Sequence, residues 1–134
     1  MHRLPRIDAV FVVLRCCWRK PFIAHVPEEW DAIQRVHVSG TFNVTQAAAH
    51  HMIKRSFGRV IMMSSLSVAA SRSTLAPYAT AKGVVTTLMR ELAFELGPHG
   101  ITCNATPRGS GHRIHGCAGT GPGVLWVGQE AGSP

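Results

Sequence analysis

Apolar residues along the chain fall into three short runs and two long periodic stretches. Val60-Ile61-Met62-Met63 is an unbroken apolar run that ends in Ser64-Ser65, as a buried parallel strand opening onto a polar mouth does. Ile7-Asp8-Ala9-Val10-Phe11-Val12-Val13-Leu14 and Ile101-Thr102-Cys103-Asn104-Ala105 read as further strands near 7–14 and 101–105. Pro27, with Glu28, Glu29 and Asp31 behind it, is a strong helix start. Trp30, Ile33, Val36, Phe42 through Val44, Ala47 and Ala48 then continue a helical apolar face to about Met52, bent near Gly40. Phe57-Gly58-Arg59 turns the chain into the central strand. A second helix follows Tyr78, with Val84, Val85, Leu88, Met89, Leu92, Ala93 and Leu96 at i, i+3, i+4 spacing, and stops at Gly97-Pro98-His99-Gly100. Strand, helix, strand, helix, strand is the order of an α/β parallel sheet. Residues 106–134, rich in Gly, Pro, Ser and His and without periodicity, are expected to be loop-like or disordered.

At 134 residues the chain holds one domain. Its formal charge of +7 does not point to nucleic acid: the basic residues are scattered, and Arg3, Arg6, Arg15, Arg19 and Lys20 against Asp8 place +4 in the first 26 residues. No run of eighteen apolar residues predicts a membrane span, and Ala9–Leu14 is too short for a signal peptide. Cys16, Cys17, Cys103 and Cys117 form no regular framework, which suits a reducing, cytoplasmic setting. Adjacent Cys16-Cys17 rarely close a disulfide. His50-His51 before Lys54-Arg55 reads as a solvated helix end, and His112, His115 and Cys117 lack the further ligands of a zinc site, so no metal is expected.

The chemistry concentrates where the central strand meets the second helix. Ser65 ends the strand, Tyr78 follows thirteen positions later, and Lys82 lies one helical turn beyond Tyr78 on the same face. An ammonium beside a phenol favours the phenolate, and a nearby hydroxyl can hold a carbonyl or alcohol oxygen within its reach. Ser67, Ser71, Ser73 and Thr74 read as loop hydroxyls. With this spacing, residues 18–105 resemble the short-chain dehydrogenase/reductase family, whose signature is a Ser, about a dozen residues, then Y-x-x-x-K. The resemblance implies a Rossmann-like doubly wound parallel sheet and NAD- or NADP-dependent interconversion of a small-molecule alcohol and ketone. Tyr78 is then the general acid/base, Lys82 tunes it and grips the nicotinamide ribose, and Ser65 orients the substrate oxygen. Tyr78 and Lys82 thus double as cofactor-binding residues. His37 stands where many members carry a relay asparagine; its other reading is a tolerated replacement in a helix bend. Gln34-Arg35-Val36-His37 is similar to some hydroxyacyl-CoA dehydrogenases, so a 3-oxoacyl reductase or hydroxyacyl dehydrogenase is the first subtype and a sugar-acid dehydrogenase the second. Family members are usually homo-oligomers.

Two departures qualify these implications. The family's Asn-Asn-Ala-Gly falls on Val12, Val13, Leu14 and Arg15, and family-like sequence ends at Ala105. No glycine-rich T-G-x-x-x-G-x-G turn precedes the site, so the first βαβ unit and the last strand are expected to be missing, and dinucleotide binding by this chain alone is not expected. Residues 1–105 then form a partial domain and 106–134 a tail. The abrupt edges near residues 8–17 and after Ala105 fit blocks translated in a shifted frame. Two function classes remain: a dehydrogenase working through Ser65, Tyr78 and Lys82, or an inactive or mis-framed remnant acting at most as an interaction partner.

Overall fold

A computed structural model describes residues 6–71 and 73–108. Three parallel strands, β1 (Ala9–Val12), β2 (Gly58–Ser65) and β3 (Ile101–Arg108), lie side by side in that order. Val10 pairs with Val60, and Val60 with Cys103. The crossovers are α1 (Pro27–Gln34), a π-helical turn (Arg35–Ser39) and α2 (Gly40–Ile53) before β2, then α3 (Ala76–Leu96) after it. Both crossovers step in the same direction along the sheet. Their usual right-handedness therefore puts both helical segments on one face.

Side-chain alternation agrees. Val60, Met62 and Ser64 of β2 are buried with Val10, Val12, Ile101 and Cys103, whereas Arg59 and Phe11 on the other face are exposed. The core is this covered face closed by Ala48, Ala49 and Met52 of α2 and by Val85 and Leu96 of α3. The α/β parallel sheet expected from the pattern is therefore present, with one covered face among the described residues. β3 is longer than expected: it continues through Thr106, Pro107 and Arg108, which pair with Met63, Ser64 and Ser65. These three residues thus belong to the sheet rather than to the tail; an edge strand tolerates proline. Residues 109–134, with His112, His115 and Cys117, lie outside the described residues.

The first helical stretch corrects the expected face. Its buried residues are Ile33, His37, Thr41 and Thr45, four apart each time, then Ala48, Ala49 and Met52. A step of four is wider than the 3.6 of an α-helix; the π turn at Arg35–Ser39 supplies the extra residue. It rotates everything after it, so Phe42 and Ala47 point outward and two threonines point in. The π turn lies at 35–39, just before Gly40, and carries His37 into the interior. Pro27 does open α1: Glu29 accepts a hydrogen bond from the Val26 N–H at 3.3 Å and from Lys20 Nζ at 2.6 Å. α3 ends as expected, through a short 3-10 turn (Gly97–His99) closed by Gly100 at φ 71°, a left-handed position suited to glycine.

Candidate active site

The early end of β1 creates the site. In β2, Arg59 donates its N–H to the Asp8 carbonyl at 2.9 Å, so alternate residues Arg59, Ile61 and Met63 turn their backbone groups toward β1. β1 stops at Val12, opposite Met62. The Met63 carbonyl therefore has no strand to bond, and the ammonium of Lys82 takes that place, donating to it at 2.7 Å. Lys82 is 2% exposed. Burial pulls its pKa from 10.5 down to about 8.

Tyr78 sits one turn earlier on α3, half-buried, with its ring 5.7 Å from the Lys82 ammonium. The side-chain amide of Gln34 donates to the Pro77 carbonyl at 3.2 Å and so ties α1 to the turn that carries Tyr78. His37 meets the Tyr78 ring edge-to-face, with centroids 5.3 Å apart, and is fully buried. Its Nε2 lies 2.8 Å from the Cys16 carbonyl and 3.2 Å from the Cys16 N–H. One ring nitrogen serves only one of these, and the shorter contact assigns the proton to Nε2, donating to the carbonyl. Nδ1 is then a bare lone pair, buried and with no hydrogen-bond partner among the described residues. Burial first, and the Lys82 charge second, push the His37 pKa down from 6.5 to about 4, against the opposing pull of the Cys16 carbonyl. The imidazole is neutral at pH 7.

Ser65 stands at the end of β2, two residues past the carbonyl that holds Lys82. Its hydroxyl oxygen accepts both the Ser67 N–H at 3.2 Å and the Ser67 hydroxyl at 2.8 Å. Both lone pairs are thereby engaged, which leaves the Ser65 proton as the group to offer an incoming oxygen. Ser67, expected to be an ordinary loop hydroxyl, is buried and orients Ser65. The structure thus brings His37, Tyr78 and Lys82 into one cluster and sets Ser65 at the end of the strand that anchors it. Sequence reading missed Gln34, Cys16, Ser64 and Thr86, which act through contacts made across the fold, and Ser67, whose contact with Ser65 is local but depends on the turn that closes the strand. His50 and His51 are exposed at the end of α2. Among the described residues, no helix is long and apolar enough to cross a membrane.

The fold is a parallel α/β sheet that gathers a serine, a tyrosine and a buried lysine at the carboxyl end of its central strand. The chain belongs to the short chain dehydrogenase family, whose family model matches residues 1–110. The match takes in residues 12–15 and 106–110, where resemblance was expected to fail, and stops short of residues 111–134. The short-chain reductase protein NovJ of Streptomyces niveus is 42% identical over 82 residues, 61% of this chain and 31% of the relative. The peroxisomal multifunctional enzyme type 2 of Mus musculus is 40% identical over 109 residues, 81% of this chain and 15% of the relative. Among solved structures, a gluconate 5-dehydrogenase from Burkholderia cenocepacia J2315, in complex with NADP and tartrate, superposes with a TM-score of 0.75 at 37% identity, over 77% of this chain and 40% of that one. The chain spans about a third of the length of curated relatives such as NovJ (31%) and the 5-keto-D-gluconate 5-reductase of Escherichia coli (36%).

Proposed function

We propose that this segment supplies the proton-transfer half of a dinucleotide-dependent dehydrogenase acting on a small alcohol or ketone. The observation that carries the reading is the buried Lys82, fixed to the Met63 carbonyl at 2.7 Å with Tyr78 one turn away. A fully buried ammonium is costly, and a fold keeps one where the charge has work to do. An ammonium has three protons, and the Met63 carbonyl uses one; the others are donors suited to a ribose diol. These residues therefore fit a nicotinamide dinucleotide, with Lys82 and Tyr78 as the chain's groups for its ribose. The cofactor, NAD or NADP, supplies the hydride when a ketone is reduced.

The remaining roles belong to side chains. Ser65 donates its free proton to the substrate oxygen and holds it in place. Tyr78 gives its phenolic proton to that oxygen during reduction and takes one during oxidation. The Lys82 charge favours the negative oxygen that Tyr78 carries after giving up its proton. His37 accepts a hydrogen bond at Nδ1 from a water on the path that returns a proton toward Lys82. Its neutrality and unpartnered nitrogen support this role.

The likeness to (3R)-3-hydroxyacyl-CoA dehydrogenases of Rattus norvegicus and Mus musculus and to gluconate 5-dehydrogenase supports acyl ketones or sugar acids as the substrate class. The test joins residues 18–108 to the glycine-rich first half and the closing segment of the gluconate 5-dehydrogenase, then follows NADPH oxidation with keto-gluconate and with a 3-oxoacyl thioester. Turnover that Tyr78→Phe abolishes supports the reading. A folded chimera that binds NADPH and reduces neither substrate, or one indifferent to Tyr78→Phe, refutes it.

A further inference from the structure

Lys82 is held not once but twice, and the second hold uses residues outside the Ser65–Tyr78–Lys82 set. The Thr86 hydroxyl donates to the Lys82 carbonyl, four residues back, at 2.9 Å. The same oxygen lies 2.7 Å from the Ser64 hydroxyl. Thr86 has a single hydroxyl proton, already given to the Lys82 carbonyl, so Ser64 is the donor of this second bond. Ser64 is 5% exposed and faces α3, on the side of β2 opposite to Ser65. Met63 and Ser64 are consecutive, so the hydrogen bonds form a closed ring. The Met63 carbonyl grips the lysine side chain, while the Ser64 hydroxyl grips its backbone through Thr86. Val85 and Leu96 pack α3 on the sheet, and the second hold fixes the Lys82 turn against the strand end.

We propose that Ser64 and Thr86 are positioning residues that lock the Lys82 backbone to the end of β2 and so keep its ammonium seated on the Met63 carbonyl, out of water. The proposal rests on the reading above only in calling Lys82 catalytic; the geometry and its test stand without any enzymatic activity. The titratable groups facing Lys82 among the described residues are Tyr78 on its own helix and His37 on the π turn, and neither is altered by the variants below.

The test follows the titration of Lys82 itself. The chain has three lysines, Lys20, Lys54 and Lys82, so carbon-13-labelled lysine gives three side-chain signals, the third assigned by its loss in Lys82→Arg. In the unaltered protein the Lys82 midpoint lies near 8. Ser64→Ala and the nearly isosteric Thr86→Val release the backbone hold, let water reach the ammonium and move the midpoint toward the ordinary lysine value of about 10.4. Thr86→Ser keeps the hydroxyl and the original midpoint. Thr86→Val preserves volume and tests the same tie from the helix side should Ser64→Ala unfold the chain. A Lys82 midpoint unchanged in folded Thr86→Val or Ser64→Ala overturns the proposal, as does a midpoint shifted equally in Thr86→Ser. A shifted midpoint with an inactive chimera leaves the lock standing and removes the dehydrogenase reading instead.

Discussion

Acid should unfold this protein through one imidazole. His37 is fully buried and neutral, and its pKa falls from 6.5 in the unfolded chain to about 4 in the fold. Below pH 6.5 the unfolded chain binds a proton that the folded chain refuses, so stability falls as pH falls and the loss is complete near pH 4. The full penalty is about 3 kcal/mol, of which about 2 kcal/mol has accrued by pH 5. His37→Gln removes the titration yet keeps the anchor, because its amide reaches the place of the ring Nε2 and can donate to the Cys16 carbonyl. Urea unfolding of both proteins at pH 7 and pH 5 is the assay, and the quantity compared is each protein's loss between the two. Asp8 and Glu29 titrate in both proteins; hydrogen bonds from Arg6 and Lys20, respectively, hold these carboxyls below the usual carboxylate range. The difference between the two losses therefore isolates His37. Equal losses refute the claim that the imidazole is buried neutral.

Lys82 acts in the opposite pH range: the unaltered protein gains up to about 3 kcal/mol between pH 8 and 10.5, as the unfolded chain holds a proton the fold has shed. Lys82→Met shows no such rise in the same unfolding series. Tyr78→Phe in an active chimera lowers turnover by about 10²–10⁴, read from NADPH oxidation at saturating substrate. Gly100→Ala costs about 1–2 kcal/mol for the left-handed backbone alone, and more because the added carbon meets the Ser56 carbonyl; denaturant midpoints read it directly. Coding DNA translated in the other two frames yields a Pro-Gly turn after the Ala105 codon and something nearer Asn-Asn-Ala-Gly around codons 10–17; its absence from both frames marks those segments as genuine divergence.

Much of the architecture was legible from local pattern. An apolar run bounded by polar residues is buried wherever the chain goes, so Val60–Met63 announced the central strand, and Leu96-Gly97-Pro98 announced a helix end. Ser65, Tyr78 and Lys82 were legible for the same reason: their spacing along one strand end and one helix turn is a property of adjacent chain. The face of the first helical stretch was not. Its π turn rewards no local residue choice; it places His37 under Tyr78 and against Cys16, a gain visible only when the strand end and α3 are in position. Spacing to Tyr78 singled out Ser65, but nothing in the order of residues gave its neighbour Ser64 a part. Alternation along a strand sends neighbours to opposite faces, and only the packing of α3 decided which serine met Thr86 and which was left at the mouth. Helix and strand periods are written in neighbouring residues. Which carbonyl receives a buried ammonium depends on where another strand stops, and that is settled by the tertiary fold.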